Sequence, residues 1–302
     1  MKTVTTPHEV RENLRPERLA GRRIGLVPTM GALHEGHASL VRLARGRDDV
    51  VVASLFVNPK QFGPREDYCR YPQDAARDWR FLEDLGCDLL FLPSARDLYS
   101  SDDRTSVIVG ELSDALCGAS RPGHFEGVAL VVAKLFNIVQ PDEAYFGQKD
   151  AQQAVIIQRM AADIDVPVRI VVGPTVREPD GLAMSSRNVY LDRDARSRAC
   201  ALAAALRAVR EQIERGARGP APLVALVRRM MAERGIEVDY AEIVDGATLR
   251  RVTTIEGTVL VACAGTIGAT RLIDNVALFV SGAEVREVVL EFPEWSRYGR
   301  RT

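Results

Sequence analysis

Apolar residues in the first half of the chain form short runs that alternate with amphipathic segments. Runs of strand length lie at about residues 23–28, 50–56, 88–92, 143–146 and 168–172. Segments with apolar residues three and four positions apart separate most of them, at about 38–45, 74–85, 128–139 and 151–162. This alternation predicts an α/β domain with a Rossmann-like parallel sheet and helices on both faces. Ligands of such sheets bind beyond the carboxyl ends of the strands, so the loops there are the first candidates for a site.

The ends of the chain add a leading helix and a second domain. Thr6, Pro7 and Glu9 form a capping-box pattern that predicts the leading helix. After about Thr175, amphipathic helices are predicted at about 195–215 and 223–233, followed by strand-like runs at about 237–244, 258–264, 269–278 and 285–292. We therefore expect a first domain over residues 1–174 and a smaller C-terminal α+β domain over 175–302. The basic tail SRYGRRT is predicted to lie in solvent.

The composition argues against nucleic acids and membranes as binding partners. Forty basic residues against 41 acidic ones give a formal net charge of -1, which lacks the basic footprint of a nucleic-acid-binding protein. The longest apolar stretch, residues 127–139, contains Lys134 and is shorter than the roughly 20 residues of a membrane span, so no membrane partner is expected. The five cysteines include no Cys-x-x-Cys pair, and the first residues lack an apolar signal region. The sequence predicts a cytoplasmic protein.

The first strand is followed by the loop MGALHEGH, which holds two of the four histidines of the chain, His34 and His37. Gly31 and Gly36 let the backbone turn and approach a ligand, and a helix starting there directs unpaired N–H groups at an anion. A solvated helix start with two incidental histidines is the alternative. A metal pair is disfavoured because no third ligand lies nearby and the spacing is not i, i+4.

Two further loops have a similar character. FGQKD follows a predicted strand and places Lys149 at a helix start, where its charge can neutralise phosphate. MSSRN lies beyond the predicted sheet, with two hydroxyls beside Arg187. Each loop alone is also compatible with an ordinary solvated turn. The three loops together favour nucleotide chemistry.

Five ordered motifs, PTMGALHEGH, FVNPKQF, RPGHFEGV, FGQKDAQQ and MSSRN, resemble those of the pantoate–β-alanine ligases, also called pantothenate synthetases. The resemblance runs from about Thr3 to about Val276, whereas HxGH alone indicates only the wider superfamily of nucleotidyltransferases and class I aminoacyl-tRNA synthetases. The chain departs from many relatives at Glu126, where a basic residue is common, and at Gln148, where glutamate is common. The segment after Val276 is longer than the usual end of the family.

The resemblance implies roles for individual residues. His37 is expected to act as a general acid, with His34, Lys149 and Arg187 as the other catalytic residues. Gln61 and Gln153 would hold pantoate through their amides, and Gln61 would also border the β-alanine site. ATP would be bound by Met30, Gly31, Ala32, Leu33, His34, Glu35, Gly36, His37, Gly147, Gln148, Lys149, Asp150, Val176, Met184, Ser185, Ser186 and Arg187. Val176 would contact the adenine through its backbone, and the MSSR segment would close over the triphosphate.

The resemblance also implies the reaction and the assembly. Pantoate would attack the α-phosphorus of ATP with Mg²⁺ present, giving pantoyl-adenylate and pyrophosphate, and β-alanine would then expel AMP. The sequence assigns no ligand to the magnesium ion. The family is generally homodimeric, and we expect the same here. The alternatives are a nucleotidyltransferase that stops at an adenylated product, a tRNA synthetase, and a catalytically silent nucleotide-binding protein.

Overall fold

The computed structural model describes residues 1–64 and 66–292. Within that part of the chain, a six-stranded parallel sheet has the order β1-β4-β3-β2-β5-β6. Its strands are β1 (Lys2–Val4), β2 (Ile24–Thr29), β3 (Val50–Leu55), β4 (Leu89–Phe91), β5 (Glu143–Gly147) and β6 (Arg169–Gly173). The helices of this half are α1 (Pro7–Leu19), α2 (Glu35–Arg45), α3 (Ala75–Asp84), α4 (Ala95–Leu98), α5 (Cys117–Ser120), α6 (His124–Val139) and α7 (Ala151–Asp163).

Helices cover both faces of the parallel sheet, as the alternating pattern predicts. On one face, Ile24 and Leu26 of β2 join a core with residues of α1, α6 and α7. On the other face, Val27 of β2 joins a core with residues of α2 and α3. Successive residues of a strand point to opposite faces, so strands buried on both sides are continuously apolar.

A four-stranded antiparallel sheet with the order β10-β9-β8-β7 forms the second part. Its elements are α8 (Arg193–Ala199), α9 (Ala201–Glu214), α10 (Pro220–Ala232), β7 (Glu237–Asp245), β8 (Gly257–Ile267), β9 (Thr270–Ser281) and β10 (Glu284–Glu287). Val259 and Val261 of β8 pack with residues of α9 and α10. Leu260 and Ala262, which point the other way, join a core of the first part. The antiparallel sheet is therefore buried on both faces.

Most predicted elements are confirmed, with differences at short or interrupted segments. The capping box of Thr6 and Glu9 is present at the start of α1. The strand β1, which the sequence pattern does not reveal, has only three residues and pairs with the edge strand β4. The helix predicted at about 195–215 is interrupted at Cys200, which is the boundary of α8 and α9.

Other boundaries also differ from the predicted ones. The helix α6 begins at His124, four residues before the predicted start. In the run 285–292, only the first residues are in β10, and residues 288–292 are irregular. The tail SRYGRRT lies outside the described residues. The predicted division between residues 174 and 175 falls just after β6 and stays a prediction. None of the described helices is long and apolar enough to cross a membrane.

Candidate active site

A cavity of about 220 Å³ opens at the carboxyl ends of β2, β3, β5 and β6. This is the edge of the sheet where the pattern of alternating strands and helices predicts a ligand site. Most residues assigned a site role from the sequence line its wall: Met30, His34, Gly36, His37, Gln61, Gly147, Lys149, Asp150, Gln153, Val176, Met184, Ser185, Ser186 and Arg187. The fold thus brings together three loops that are far apart in the sequence.

A buried carboxylate holds the backbone of the loop that carries His34 and His37. Asp78 of α3, which is fully buried, accepts hydrogen bonds from the backbone N–H groups of Ala32 (2.8 Å) and Leu33 (2.9 Å). Gly31 has a φ of 91°, in the left-handed region that favours glycine. These constraints turn the chain sharply between β2 and α2. The loop therefore presents His34 and His37 to the cavity at the start of a helix.

The two imidazoles are held in a defined tautomer. The Nδ1 atom of His34 accepts from the backbone N–H of Gly36 at 3.1 Å, and Nδ1 of His37 accepts from the backbone N–H of His34 at 3.3 Å. A neutral imidazole that accepts at Nδ1 carries its proton on Nε2. Their ring centroids are 4.1 Å apart. Both rings therefore offer an Nε2–H donor to a ligand.

Burial keeps both imidazoles neutral at pH 7. Desolvation, with a smaller contribution from the charge of Lys149, lowers the pKa of His34 to about 4. Desolvation, followed by the charges of His34 and Lys149, lowers the pKa of His37 to about 3. The helix N-terminus disfavours the protonated form in the same direction. Without a ligand, the histidines are therefore hydrogen-bond donors and carry no charge.

The loop after β5 is held from the C-terminal half of the molecule. The side-chain amide of Asn275, on β9, donates to the carbonyl oxygens of Gln148 (3.0 Å) and Lys149 (2.9 Å). Lys149 lies on the cavity wall with its Nζ 3.7 Å from a carboxylate oxygen of Asp150. The loop thus places a cation and a half-exposed carboxylate beside the histidines.

The MSSR segment closes another side of the cavity. The Nε and Nη2 atoms of Arg187 each donate to an oxygen of Asp67 at 2.8 Å. The hydroxyl of Ser186 is 2.8 Å from the hydroxyl of Tyr71. The backbone N–H of Met184 donates to the carbonyl oxygen of Val176 at 2.9 Å. Because Asp67 and Tyr71 belong to the connection between β3 and α3, the segment is fastened to the first half of the molecule.

Gln61 and Gln153 lie on the same cavity, as expected for residues that share a ligand. Gln61 is buried, and its oxygen accepts from the amide of Asn58 at 3.1 Å. Asn58 also donates to the carbonyl oxygen of Gly127 at 3.0 Å. Gly127 is required here, since a Cβ atom on it would lie 2.2 Å from the carbonyl oxygen of Lys60. Close packing of α6 against FVNPKQF therefore sets the position of Gln61.

Five residues assigned to ATP from the sequence do not line the cavity. Gly31, Ala32 and Leu33 form the turn that Asp78 holds. Glu35 is exposed and forms an ion pair with Arg42. Gln148 is buried and bonds to Asn275 and to the backbone of Leu290. The structure thus places Gly31, Ala32, Leu33 and Gln148 behind the wall and Glu35 on the surface, and their assigned roles stay predictions.

The wall also contains residues that have no role predicted from the sequence, Asn58, Tyr71, Arg121 and His124. The Nδ1 atom of His124 is 2.7 Å from the carbonyl oxygen of Gln61, and Arg121 forms an ion pair with Glu66. Desolvation, followed by the charge of Arg121, lowers the pKa of His124 to about 4. The motif RPGHFEGV was the available signal, because it combines a cation and a histidine at a helix start.

The family model for pantoate-beta-alanine ligase matches residues 2–277. The chain belongs to the pantoate-beta-alanine ligase family. It is similar to the pantothenate synthetase of Caldicellulosiruptor saccharolyticus (48% identity over 93% of this chain and 100% of that protein). Pantothenate synthetase 1 of Bradyrhizobium diazoefficiens is 51% identical over 92% of this chain and 98% of that protein. The chain is therefore a ligase of pantothenate biosynthesis.

Solved structures of the family have the same fold. The pantothenate synthetase from Thermus thermophilus superposes with a TM-score of 0.86 at 46% identity, covering 91% of this chain and 98% of that one. A pantoate-beta-alanine ligase from Francisella tularensis, solved as a complex with beta-gamma ATP and beta-alanine, gives a TM-score of 0.76 at 34% identity, covering 91% and 97%. The resemblance inferred from five motifs is thus confirmed across the chain.

Proposed function

We propose that this ligase condenses (R)-pantoate with β-alanine in two steps, with ATP as co-substrate and pantoyl-adenylate as the intermediate. The observation that carries the proposal is that hydrogen-bond donors, cations and amides suited to phosphate and acid groups converge on one cavity. Two Nε2–H donors and two cations, Lys149 and Arg187, lie on the same wall as the amides of Gln61 and Gln153. The complex of the Francisella tularensis relative with beta-gamma ATP and beta-alanine supports the choice of ligands.

In the first step, a carboxylate oxygen of pantoate bonds to the α-phosphorus of ATP while the bond to the β-phosphate oxygen breaks. Pyrophosphate leaves with the electron pair. Negative charge grows on the phosphate oxygens, and the Nε2–H groups of His34 and His37, with Lys149 and Arg187, are suited to stabilise it. An arriving triphosphate also favours the protonated imidazole, which allows His37 to act as a general acid despite its low pKa in the free protein.

In the second step, the neutral amine of β-alanine attacks the carbonyl carbon of the mixed anhydride. The new C–N bond forms, the bond to the AMP oxygen breaks, and the nitrogen loses a proton. The adenylate is prone to hydrolysis, so exclusion of water is required. The fastening of the MSSR segment to Tyr71 and Asp67 supports such an enclosed cavity.

Magnesium would enter with ATP. Mg²⁺ usually keeps several waters and uses substrate phosphates with one or two carboxylates. Asp150, half-exposed on the cavity wall, fits that requirement. Among residues 1–64 and 66–292, no group of three metal-ligating side chains forms a dedicated protein site. The ion would supply charge neutralisation on the phosphates.

Product analysis tests the proposed reaction. The protein is incubated with ATP, Mg²⁺ and pantoate, with and without β-alanine, and nucleotides, pyrophosphate and pantothenate are quantified. We expect AMP, pyrophosphate and pantothenate in equal amounts with both substrates, and at most one pyrophosphate per active site without β-alanine. ADP, or no turnover, would refute the proposal. An adenylated product that accumulates in multiple turnovers would instead indicate a nucleotidyltransferase.

His37→Ala tests the site. We expect it to abolish adenylate formation while the fold stays intact, because it removes an Nε2–H donor from the cavity. The matched control is His8→Ala, since His8 is exposed on α1 and does not line the cavity. A near-normal rate of adenylate formation in His37→Ala, with circular dichroism unchanged, would remove the catalytic role of His37.

The family resemblance also supports a homodimer in the cytoplasm. Every cysteine of the chain is a free thiol, which is compatible with a reducing compartment. Light scattering at micromolar concentration should give twice the 33.2 kDa mass of one chain. A mass of one chain would contradict the dimer.

A further inference from the structure

Residues 288–292, which we call the strap, pack against the first half of the molecule. They lie beyond residue 277, the last residue matched by the family model. Leu290 is fully buried in a core made largely of residues from the parallel-sheet half, and Val288 and Phe292 pack against the same core. The strap is therefore an integral part of the fold, although the match to the family model ends before it.

The side chains of two buried glutamines, one in the loop after β5 and one on α7, form hydrogen bonds with the backbone of the strap. The oxygen of Gln148 accepts from the N–H of Leu290 at 3.0 Å. On α7, the amide of Gln158 donates to the carbonyl oxygen of Leu290 at 3.3 Å and accepts from the N–H of Phe292 at 3.1 Å. Buried backbone groups need such partners, because an unpaired N–H or C=O group inside the fold is destabilising. Both glutamines therefore anchor the strap, Gln148 through one hydrogen bond and Gln158 through two.

Only one of these anchors belongs to the loop that carries Lys149. The amide of Gln148 also donates to the side-chain oxygen of Asn275 at 3.3 Å. Asn275 in turn donates to the carbonyl oxygens of Gln148 and Lys149. The loop is therefore held on one side by β9 and on another by the strap, while Lys149 lies on the cavity wall. A shift of Gln148 would move the backbone from which Lys149 extends.

We propose that Gln148, held in place by the strap and by Asn275 of β9, is a positioning residue for Lys149 in the ATP-dependent step. Gln148 does not line the cavity, so its effect is on the placement of Lys149. A glutamate at this position could accept from the N–H of Leu290 but could not donate to the oxygen of Asn275. The glutamine therefore serves both the strap and β9 at once. The proposal rests on the proposed role of Lys149 in binding ATP.

The test compares Gln148→Met with Gln158→Met in the full chain. Methionine has a similar volume but forms neither set of hydrogen bonds, so each variant removes one anchor of the strap. Because small misplacements of charged groups are costly, we expect Gln148→Met to lower kcat/KM for ATP about tenfold, with Gln158→Met staying within about twofold of the wild type. Gln148→Glu, which keeps the bond to Leu290, should recover part of the loss. Both methionine variants should lower the Tm by similar amounts.

Hydrogen exchange provides a readout that does not depend on catalysis. The amides of residues 147–150 should exchange faster in Gln148→Met than in the wild type or Gln158→Met. Equal kcat/KM values for the two methionine variants, together with equal exchange in this loop, would show that Gln148 contributes stability alone and would overturn the proposal. If the wild type made no pantothenate, the proposed function would fail, and the exchange comparison would still decide the role of Gln148.

Discussion

Asp67→Asn is expected to weaken the use of ATP, because Asp67 fixes the direction of the Arg187 guanidinium. The carboxylate of Asp67 accepts hydrogen bonds from the Nε and Nη2 atoms of Arg187, each at 2.8 Å. Arg187 lines the cavity. The Nη1 atom of Arg187 therefore remains available to donate a hydrogen bond to another partner. Burial alone would raise the pKa of Asp67, but the hydrogen bonds and charge of Arg187 outweigh it and lower that pKa. Asp67 is therefore ionised at neutral pH.

The size of the effect follows from the geometry of the pair. The side chains of Arg187 and Asp67 are 26% and 18% exposed, so the pair is partly shielded from water. Hydrogen bonds to charged groups contribute about 1.5–3 kcal/mol, and bidentate pairs add geometric specificity. Asparagine keeps one acceptor and places an NH₂ group against the guanidinium. A loss of about 2 kcal/mol in transition-state stabilisation corresponds to about a 30-fold lower kcat/KM for ATP.

Steady-state kinetics with each substrate varied in turn measures this loss. The KM for β-alanine should stay near the wild-type value, since Asp67 contacts the MSSR segment. Asp163→Asn, which breaks an exposed ion pair on α7, is the matched control and should have little effect. An unchanged kcat/KM for ATP in a folded Asp67→Asn protein would refute the reasoning. A higher affinity for ATP would show that Asp67 competes with the phosphates for Arg187.

Two further predictions concern pH and packing. The pKa of His37 is about 3 in the folded protein and 6.5 in the unfolded chain, so between these pH values only the unfolded chain binds the proton. The contribution of His37 to stability is complete above pH 6.5 and therefore decreases as the pH falls. Urea unfolding at pH 7 and pH 5 should show a loss about 2 kcal/mol larger in the wild type than in His37→Asn; equal losses would contradict it. Gly127→Ala should lower stability by about 1–3 kcal/mol and raise the KM for pantoate, because its Cβ would strike the carbonyl oxygen of Lys60. Wild-type values for both would contradict the packing argument, and Ala129→Gly on the same helix is the control for general helix effects.

The sequence predicts the long, periodic elements of the fold because burial on two faces leaves a continuous apolar run. β2 and β3 are recognisable in this way. β1 is not, since three residues give no period and its pairing with β4 depends on residues 87 positions further along the chain. The interruption at Cys200 is invisible for a related reason, because the apolar face of the helix continues across it.

The site could be predicted in part. The residues of a motif are neighbours in the sequence, whereas the residues that hold the motif in place are distant in the sequence. His34, His37 and Lys149 follow from loops after strands. Asp78 and Asp67 accept hydrogen bonds that hold these loops in place. They lie in segments whose sequence predicts only an ordinary helix and an ordinary polar turn. Their function depends on tertiary contacts that no spacing in the sequence encodes.

The cations on the cavity wall are balanced by neighbouring carboxylates. Lys149, Arg187 and Arg121 each have a carboxylate partner, in Asp150, Asp67 and Glu66 respectively. The nearby imidazoles are neutral, so the protein itself places little uncompensated positive charge on the wall, which would otherwise destabilise the fold. A triphosphate must then either share these cations with their carboxylates or displace the carboxylates. The bidentate geometry of Asp67, which leaves Nη1 of Arg187 available, favours sharing, and the sign of the Asp67→Asn effect on ATP distinguishes the two.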